Sequence, residues 1–141
     1  MTGMYPDDFV KKYEGKKVDF DGVFGAQCVD LARQFWKEGL GIPEYTGACS
    51  TSGGAKDLYL DYDKMPVEKK YFYKIPKNKG FVTGDTLIWD STKTNKYGHV
   101  AIYLAELNNS LIVFEQDGFK QNGAKIAIRE KTNLLGALRK K

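Results

Sequence analysis

Three kinds of side chain in this sequence could together carry out nucleophilic chemistry: a thiol at Cys28, an imidazole at His99 and an acidic pair at Glu115 and Asp117. Cys28 follows a glycine-bearing run and opens a segment in which Val29, Leu31, Ala32, Phe35 and Trp36 recur at helical spacing as far as Gly39. That places the thiol in the first turn of a helix, where unpaired N–H groups and the dipole favour an anion, and the thiolate is the nucleophile. A cysteine nucleophile needs a base, and the chain holds one histidine, His99. It stands after Tyr97 and Gly98, at the mouth of the apolar stretch HVAIYLA. The following stretch, SLIVFEQD, ends on Glu115 and Asp117, two residues apart and so on one face of a strand. If the two strands form a hairpin, a carboxylate comes beside the ring, fixing its tautomer and stabilising the imidazolium.

Each of these residues has a plainer reading. A helical cysteine is commonly a small core residue. A lone histidine after glycine is commonly a satisfied structural group, and an acidic pair can occupy a solvated sheet face. What favours chemistry is the convergence of separate elements on a nucleophile, a base and an orienting acid. Cys49, in a Ser/Gly-rich loop with no base nearby in the sequence, reads as a free structural thiol.

The run before the thiol, DFDGVFGAQCVD, has chemistry of its own. Counted from Asp19, Asp21 is third, Val23 fifth, Gly25 seventh and Asp30 twelfth. This echoes the spacing by which a calcium loop gathers carboxylates and backbone carbonyls. It departs from the EF-hand: Phe24 stands where the invariant glycine would be, Asp30 replaces the bidentate glutamate, and no helix clearly precedes it. Spacing alone leaves a calcium loop and a capped polar turn both open. Hard oxygen donors would select calcium over zinc.

The elements that must position these groups follow from pattern. A short helix starts at Pro6 and runs toward Tyr13, with Asp7 and Asp8 in its first turn. The Cys28 helix ends at Gly39 and Gly41 before Pro43. Residues 44–54 read as a loop, and 54–58 as a short helix. Strands are predicted over 71–75, 86–90, 99–105, 110–117 and 125–129, with a further one over 135–138. Asn108-Asn109 and Gln121-Asn122-Gly123 mark hairpin turns. Helices first and sequential strands after them imply an α+β domain, N-terminal helices packed on a C-terminal antiparallel sheet. At 141 residues, with no repeat or internal linker, one domain over 1–141 is expected.

Composition excludes more than it selects. Two cysteines make neither a disulfide framework nor a zinc site. The N-terminal MTGMYPDDFVKK lacks the apolar region of a signal peptide, and no segment approaches a membrane span. Synthesis in the cytoplasm is expected, with release by another agent if the target lies outside. A net charge of +4 suits a polyanionic surface such as a wall polymer or nucleic acid, without singling one out.

Taken in order, DFDGVFGAQCVDLARQFW, GGAKDLY, GDTLIWDS, YGHVAIYLA and VFEQDG resemble the CHAP family, the cysteine, histidine-dependent amidohydrolases/peptidases of phage endolysins and bacterial wall hydrolases. The resemblance spans about residues 9 to 139. It implies a papain-like core, cleavage of amide bonds in peptidoglycan, Cys28 as nucleophile, His99 as base and Glu115 as the residue orienting the imidazole. Asp117 stands where the family usually has asparagine, and Gln27, with the Cys28 N–H, would contribute to an oxyanion hole. Some phage endolysin domains of this family carry calcium in the same loop. Asp19, Asp21 and Asp30 match its acids, with Val23 and Gly25 offering carbonyls, so a structural Ca²⁺ is implied.

The expected partner is bacterial peptidoglycan, with no nucleic acid and no membrane, and the chain is expected to be a monomer or one domain of a longer lysin. The same machinery would serve an N-acetylmuramoyl-L-alanine amidase or an endopeptidase. The alternative is a non-catalytic peptidoglycan-binding module, against which the intact Cys28, His99 and Glu115 set argues. A nucleic-acid binder ranks last, because the aromatics follow core periodicity and no binding motif is present.

Overall fold

The computed structural model describes residues 5–20, 27–43, 54–117 and 119–141. Helix α1 covers Pro6–Tyr13 and α2 covers Cys28–Gln34, the latter continuing as a π-helical turn over Phe35–Gly39. After the short α3 (Asp57–Leu60) and α4 (Pro66–Tyr71) come six strands. These are β1 (Phe72–Pro76), β2 (Thr86–Trp89), β3 (His99–Leu107), β4 (Ser110–Gln116), β5 (Ala124–Arg129) and β6 (Leu134–Lys140). They form one antiparallel sheet in the order β1-β6-β2-β3-β4-β5. The α+β architecture expected from the order of patterns is the one observed. Among the described residues no helix is long and apolar enough to cross a membrane.

Alternation along the strands sorts side chains onto two faces. Ile88, Val100, Ile102, Phe114 and Leu138 point to the helical side, where Phe9, Leu31, Phe35 and Trp36 cover them. Leu87, Trp89, Ala101, Tyr103, Val113 and Ala137 form a second cluster on the other face. Helix α2 packs mainly on β3, and the buried Trp36 indole donates to Thr86 Oγ1 at 2.8 Å, fixing the helix over β2 as well. Cys28 is thereby held over the sheet by the apolar face of its own helix.

Three elements differ from expectation. Residues 66–71 form a helix that the pattern did not suggest; Pro66 starts it, pre-set for a first helical turn, and Tyr71 belongs to it rather than to β1. The short helix expected over 54–58 begins at Asp57, because Gly54 is packed against Tyr97, whose carbonyl lies 2.8 Å from where a Cβ would sit. Strand β6 is longer than 135–138. Arg139 pairs with the buried Asp85 through Nε at 3.0 Å and Nη2 at 2.8 Å, so a charged residue belongs to the sheet. Gly136 sits where Ile75 O would lie 2.3 Å from a Cβ, which explains a glycine inside this strand. Cys49 lies outside the described residues.

Candidate active site

Cys28 is the first residue of α2, with Gln27 as N-cap in an extended conformation. The Gln27 N–H donates to Asp30 Oδ2 at 3.0 Å, a side chain reaching back to close the helix start. His99 is the first residue of β3, so its ring lies at the open end of the sheet toward which α2 directs Cys28. The imidazole interacts with Cys28 and, through Nε2, with Glu115 Oε1 at 3.0 Å. With Nε2 committed to the carboxylate, Nδ1 is the ring nitrogen left for the thiol. Trp89, directly across from His99 in the ladder, packs its ring 5.7 Å from the imidazole.

The approach of Glu115 to His99 depends on a register slip. The β3–β4 hairpin turns at Asn108 and Asn109, both with positive φ, and starts from the pair Leu107↔Ser110. Continued unbroken, that register would set His99 opposite residue 118 and turn Glu115 to the other face. The irregularity between Tyr103 and Ala105 shifts the pairing by one residue, to Ile102↔Phe114. Continued from there, His99 faces Asp117, and Glu115 joins it on the same side of the sheet.

Glu115 is 2% exposed and shared between two cations. Arg129, from β5, donates through Nε to Oε1 at 2.6 Å and through Nη2 to Oε2 at 2.8 Å. Burial alone would raise the carboxyl pKa, but His99 and Arg129 bring it down to about 2. For His99, burial alone would lower the pKa, and the contacts with Cys28 and Glu115 overcome this and raise it to about 9. An imidazolium formed by taking up a proton at this position is therefore stabilised at neutral pH.

The remaining expected residues are placed differently. Asp117 turns its carboxylate into the chain, accepting from the N–H groups of Phe119 at 2.8 Å and Lys120 at 3.2 Å. It lines, with Trp89, Asn95, His99 and Arg129, a cleft of about 700 Å³ on the imidazole side. Gln27 is exposed at the helix start. Of the expected metal ligands, Asp19 is exposed and Asp30 is buried at the cap, whereas Asp21, Val23 and Gly25 lie outside the described residues.

Two residues that the sequence reading did not single out enter the site. Arg129 is one; a buried acid facing a strand that ends in arginine was its signal. Gln116 is the other, fully buried with its Oε1 accepting from Val18 N–H at 2.8 Å. Its Nε2 donates to Val18 O at 2.7 Å and to Gln27 O at 2.9 Å. Its signal was an amide in the core-facing phase of the strand LIVFEQ.

No family model matches the chain. Solved structures match nearly all of it. The wild-type endolysin LysIME-EF1 superposes with a TM-score of 0.70 at 21% identity, over 96% of this chain and 64% of that one. Ly7917, in a structure with the hydrolyzing product of MDP, gives 0.66 at 16% identity, over 94% of this chain and 60% of its own. Ly7917 in a second structure gives 0.64 at 16% identity, again over 94% and 60%. The chain thus spans less than two thirds of the length of these proteins, and the likeness establishes the fold they share with it.

Proposed function

We propose that residues 1–141 form a single catalytic domain of the CHAP type, a cysteine amidohydrolase/peptidase that cleaves an amide bond in peptidoglycan. The observation that carries this is the His99 imidazole held between Cys28 and the buried, doubly paired Glu115. The structural neighbours, an endolysin among them, support the wall as the place of action.

In the proposed mechanism His99 takes the proton of Cys28, and Sγ attacks the scissile carbonyl. The oxyanion faces the start of α2, where the Cys28 N–H and the Gln27 side chain are the candidate donors. His99 then gives its proton to the leaving amine, and the C–N bond breaks to leave a thioester. Water, deprotonated by His99, attacks the thioester carbonyl; the C–S bond breaks and the thiol takes back the proton as the acid departs. Glu115 stays ionised throughout, orienting the ring through Nε2 and stabilising the imidazolium.

Calcium is proposed as a structural ion of the 19–30 run. Asp19 and Asp30 offer hard carboxylate oxygens, which fit Ca²⁺ rather than a soft metal. Asp30 also caps α2, so an ion held there would stiffen the entry to the nucleophile's helix. No chemical step passes through it.

The test is mass spectrometry of fragments released from purified peptidoglycan, with Cys28→Ala as control. Stem peptides freed at L-alanine indicate an amidase, and new termini within the stem or bridge an endopeptidase. Release that persists in Cys28→Ala, or no release from several wall types, sinks the proposal; the latter outcome points to a binding module.

A further inference from the structure

We infer that Gln116 is the positioning residue of the nucleophile, holding the start of α2 in place from the strand that carries Glu115. The inference rests on the catalytic reading of Cys28 and extends it to a residue that touches neither thiol nor imidazole.

A primary amide offers two N–H donors and a carbonyl acceptor. In Gln116 all are used, and all on one neighbouring region. The exchange with Val18 N–H and O copies the paired bonds of an antiparallel ladder, at 2.8 and 2.7 Å. The remaining donor goes to Gln27 O at 2.9 Å. Val18 and Gln27 flank residues 19–26, so one side chain ties both ends of that run to β4. Gln27 is the N-cap of α2, and Cys28 is bonded to it. The tether therefore ends one peptide unit from the nucleophile.

The placement of this amide follows from strand alternation. Phe114 and Gln116 point to the helical face, where α2 lies; Glu115, between them, points to His99 and Arg129. Two adjacent residues of one strand thus set the two halves of the site independently. The Glu115 carboxylate fixes the base, and the Gln116 amide fixes the helix that carries the nucleophile. Because both come from a single rigid strand, the separation of thiol and imidazole is fixed by backbone geometry rather than by loop packing. A shift on the order of 1 Å between reacting groups costs about 100-fold in rate.

Two near-isosteric variants separate positioning from simple stability. Gln116→Met removes all the bonds and keeps the volume. Gln116→Glu keeps the acceptor for Val18 N–H and sets a carboxylate against the carbonyls of Val18 and Gln27; it is read in place of Gln116→Met if that variant does not fold. Each is measured below its melting temperature by turnover of solubilised muropeptides and by NMR titration of His99, the chain's one histidine. The expected result is a fall in kcat of about 100-fold with KM within about twofold. In Gln116→Met the His99 titration should move down from about 9 toward its ordinary value as Cys28 withdraws. If the wild-type protein turns over no muropeptide, the catalytic reading fails, while a lowered His99 titration in the variant still supports the tether. An unchanged His99 titration, or an unchanged kcat in an active enzyme, overturns the inference.

Discussion

Arg129 grips both carboxylate oxygens of Glu115, at 2.6 and 2.8 Å, and so shares Oε1 with the His99 Nε2 that lies 3.0 Å away. A buried carboxylate with one cationic neighbour would be free to rotate toward it. Held in the fork of a guanidinium, Glu115 presents a fixed oxygen to the ring. The arginine thereby orients the carboxylate that meets the imidazole.

Removing either member should be costly in different currencies. Glu115→Gln keeps the shape and removes the charge that favours imidazolium, so kcat should fall by about 100-fold or more. Arg129→Met leaves Glu115 buried with the imidazole as its remaining cationic partner, and should cost about 2 kcal/mol in denaturant unfolding. Its kcat should fall while KM stays near the wild-type value. A wild-type kcat in Arg129→Met at full folding would remove the residue from the site.

The same pair sets a pH signature. Glu115 is held at about 2 when folded, below its ordinary 4.5, so its contribution to stability is present above 4.5 and lost as pH falls toward 2. His99 is raised from 6.5 to about 9, so its contribution is complete below 6.5 and lost as pH rises through 9. Stability measured by urea unfolding should therefore be flat between about 4.5 and 6.5 as far as these groups act, and decline on both sides. In Glu115→Gln the acid-side decline should shrink and His99 should titrate nearer 6.5.

How much of this was legible beforehand varies by residue. The strand over 99–105 and the hairpin at Asn108-Asn109 were readable, because β-branched runs and turn residues act locally. The nearness of Glu115 to His99 was expected from that hairpin, and the structure has it, but the detail that produces it was not readable. That detail is a slip between Tyr103 and Ala105 that an apolar run does not encode, and the unbroken register would have set Glu115 away from His99. Arg129 and Gln116 were hidden for a related reason: their partners are distant in sequence, and only the packed sheet brings them together. Pattern located the helix that begins at Cys28. Tertiary pairing determined what holds it.

Calcium binding has a test that does not depend on turnover. Titration calorimetry with CaCl2 should show one site, and thermal unfolding should rise with free Ca²⁺ as mass action requires. Asp19→Asn should abolish the calcium-dependent rise. Asp30→Asn should also lower stability in EDTA, because Asp30 Oδ2 accepts the Gln27 N–H whether or not an ion is present. No heat of binding and no shift with Ca²⁺ would remove the metal from the proposal.

A buried ion pair can be purely structural, and Asp85 with Arg139 supplies the contrast. Asp85 is 2% exposed, accepts two bonds from Arg139, and also accepts the Val82 N–H at 2.9 Å. It anchors β6 to the turn before β2, on the stretch GDTLIW. Arg139→Ala should strand a buried carboxylate and cost about 3 kcal/mol. The folded variant should keep wild-type kcat and the wild-type His99 titration, which a role in the chemistry would alter.

The thiol itself can be interrogated without substrate, since the chain carries an internal comparison in Cys49. If His99 draws the proton from Cys28, iodoacetamide should modify Cys28 at least about tenfold faster than Cys49 at neutral pH, as peptide mapping would show. In His99→Ala the Cys28 rate should fall to that of an ordinary thiol, whereas Cys49 should be unaffected. A partner that merely packed against sulfur would change access and slow labelling by large and small reagents unequally. Loss of the base should slow both reagents alike, so running iodoacetamide beside a bulky maleimide distinguishes the two. Equal rates at Cys28 in wild type and His99→Ala would mean that the contact between thiol and imidazole is packing, and the nucleophile would have to be sought elsewhere.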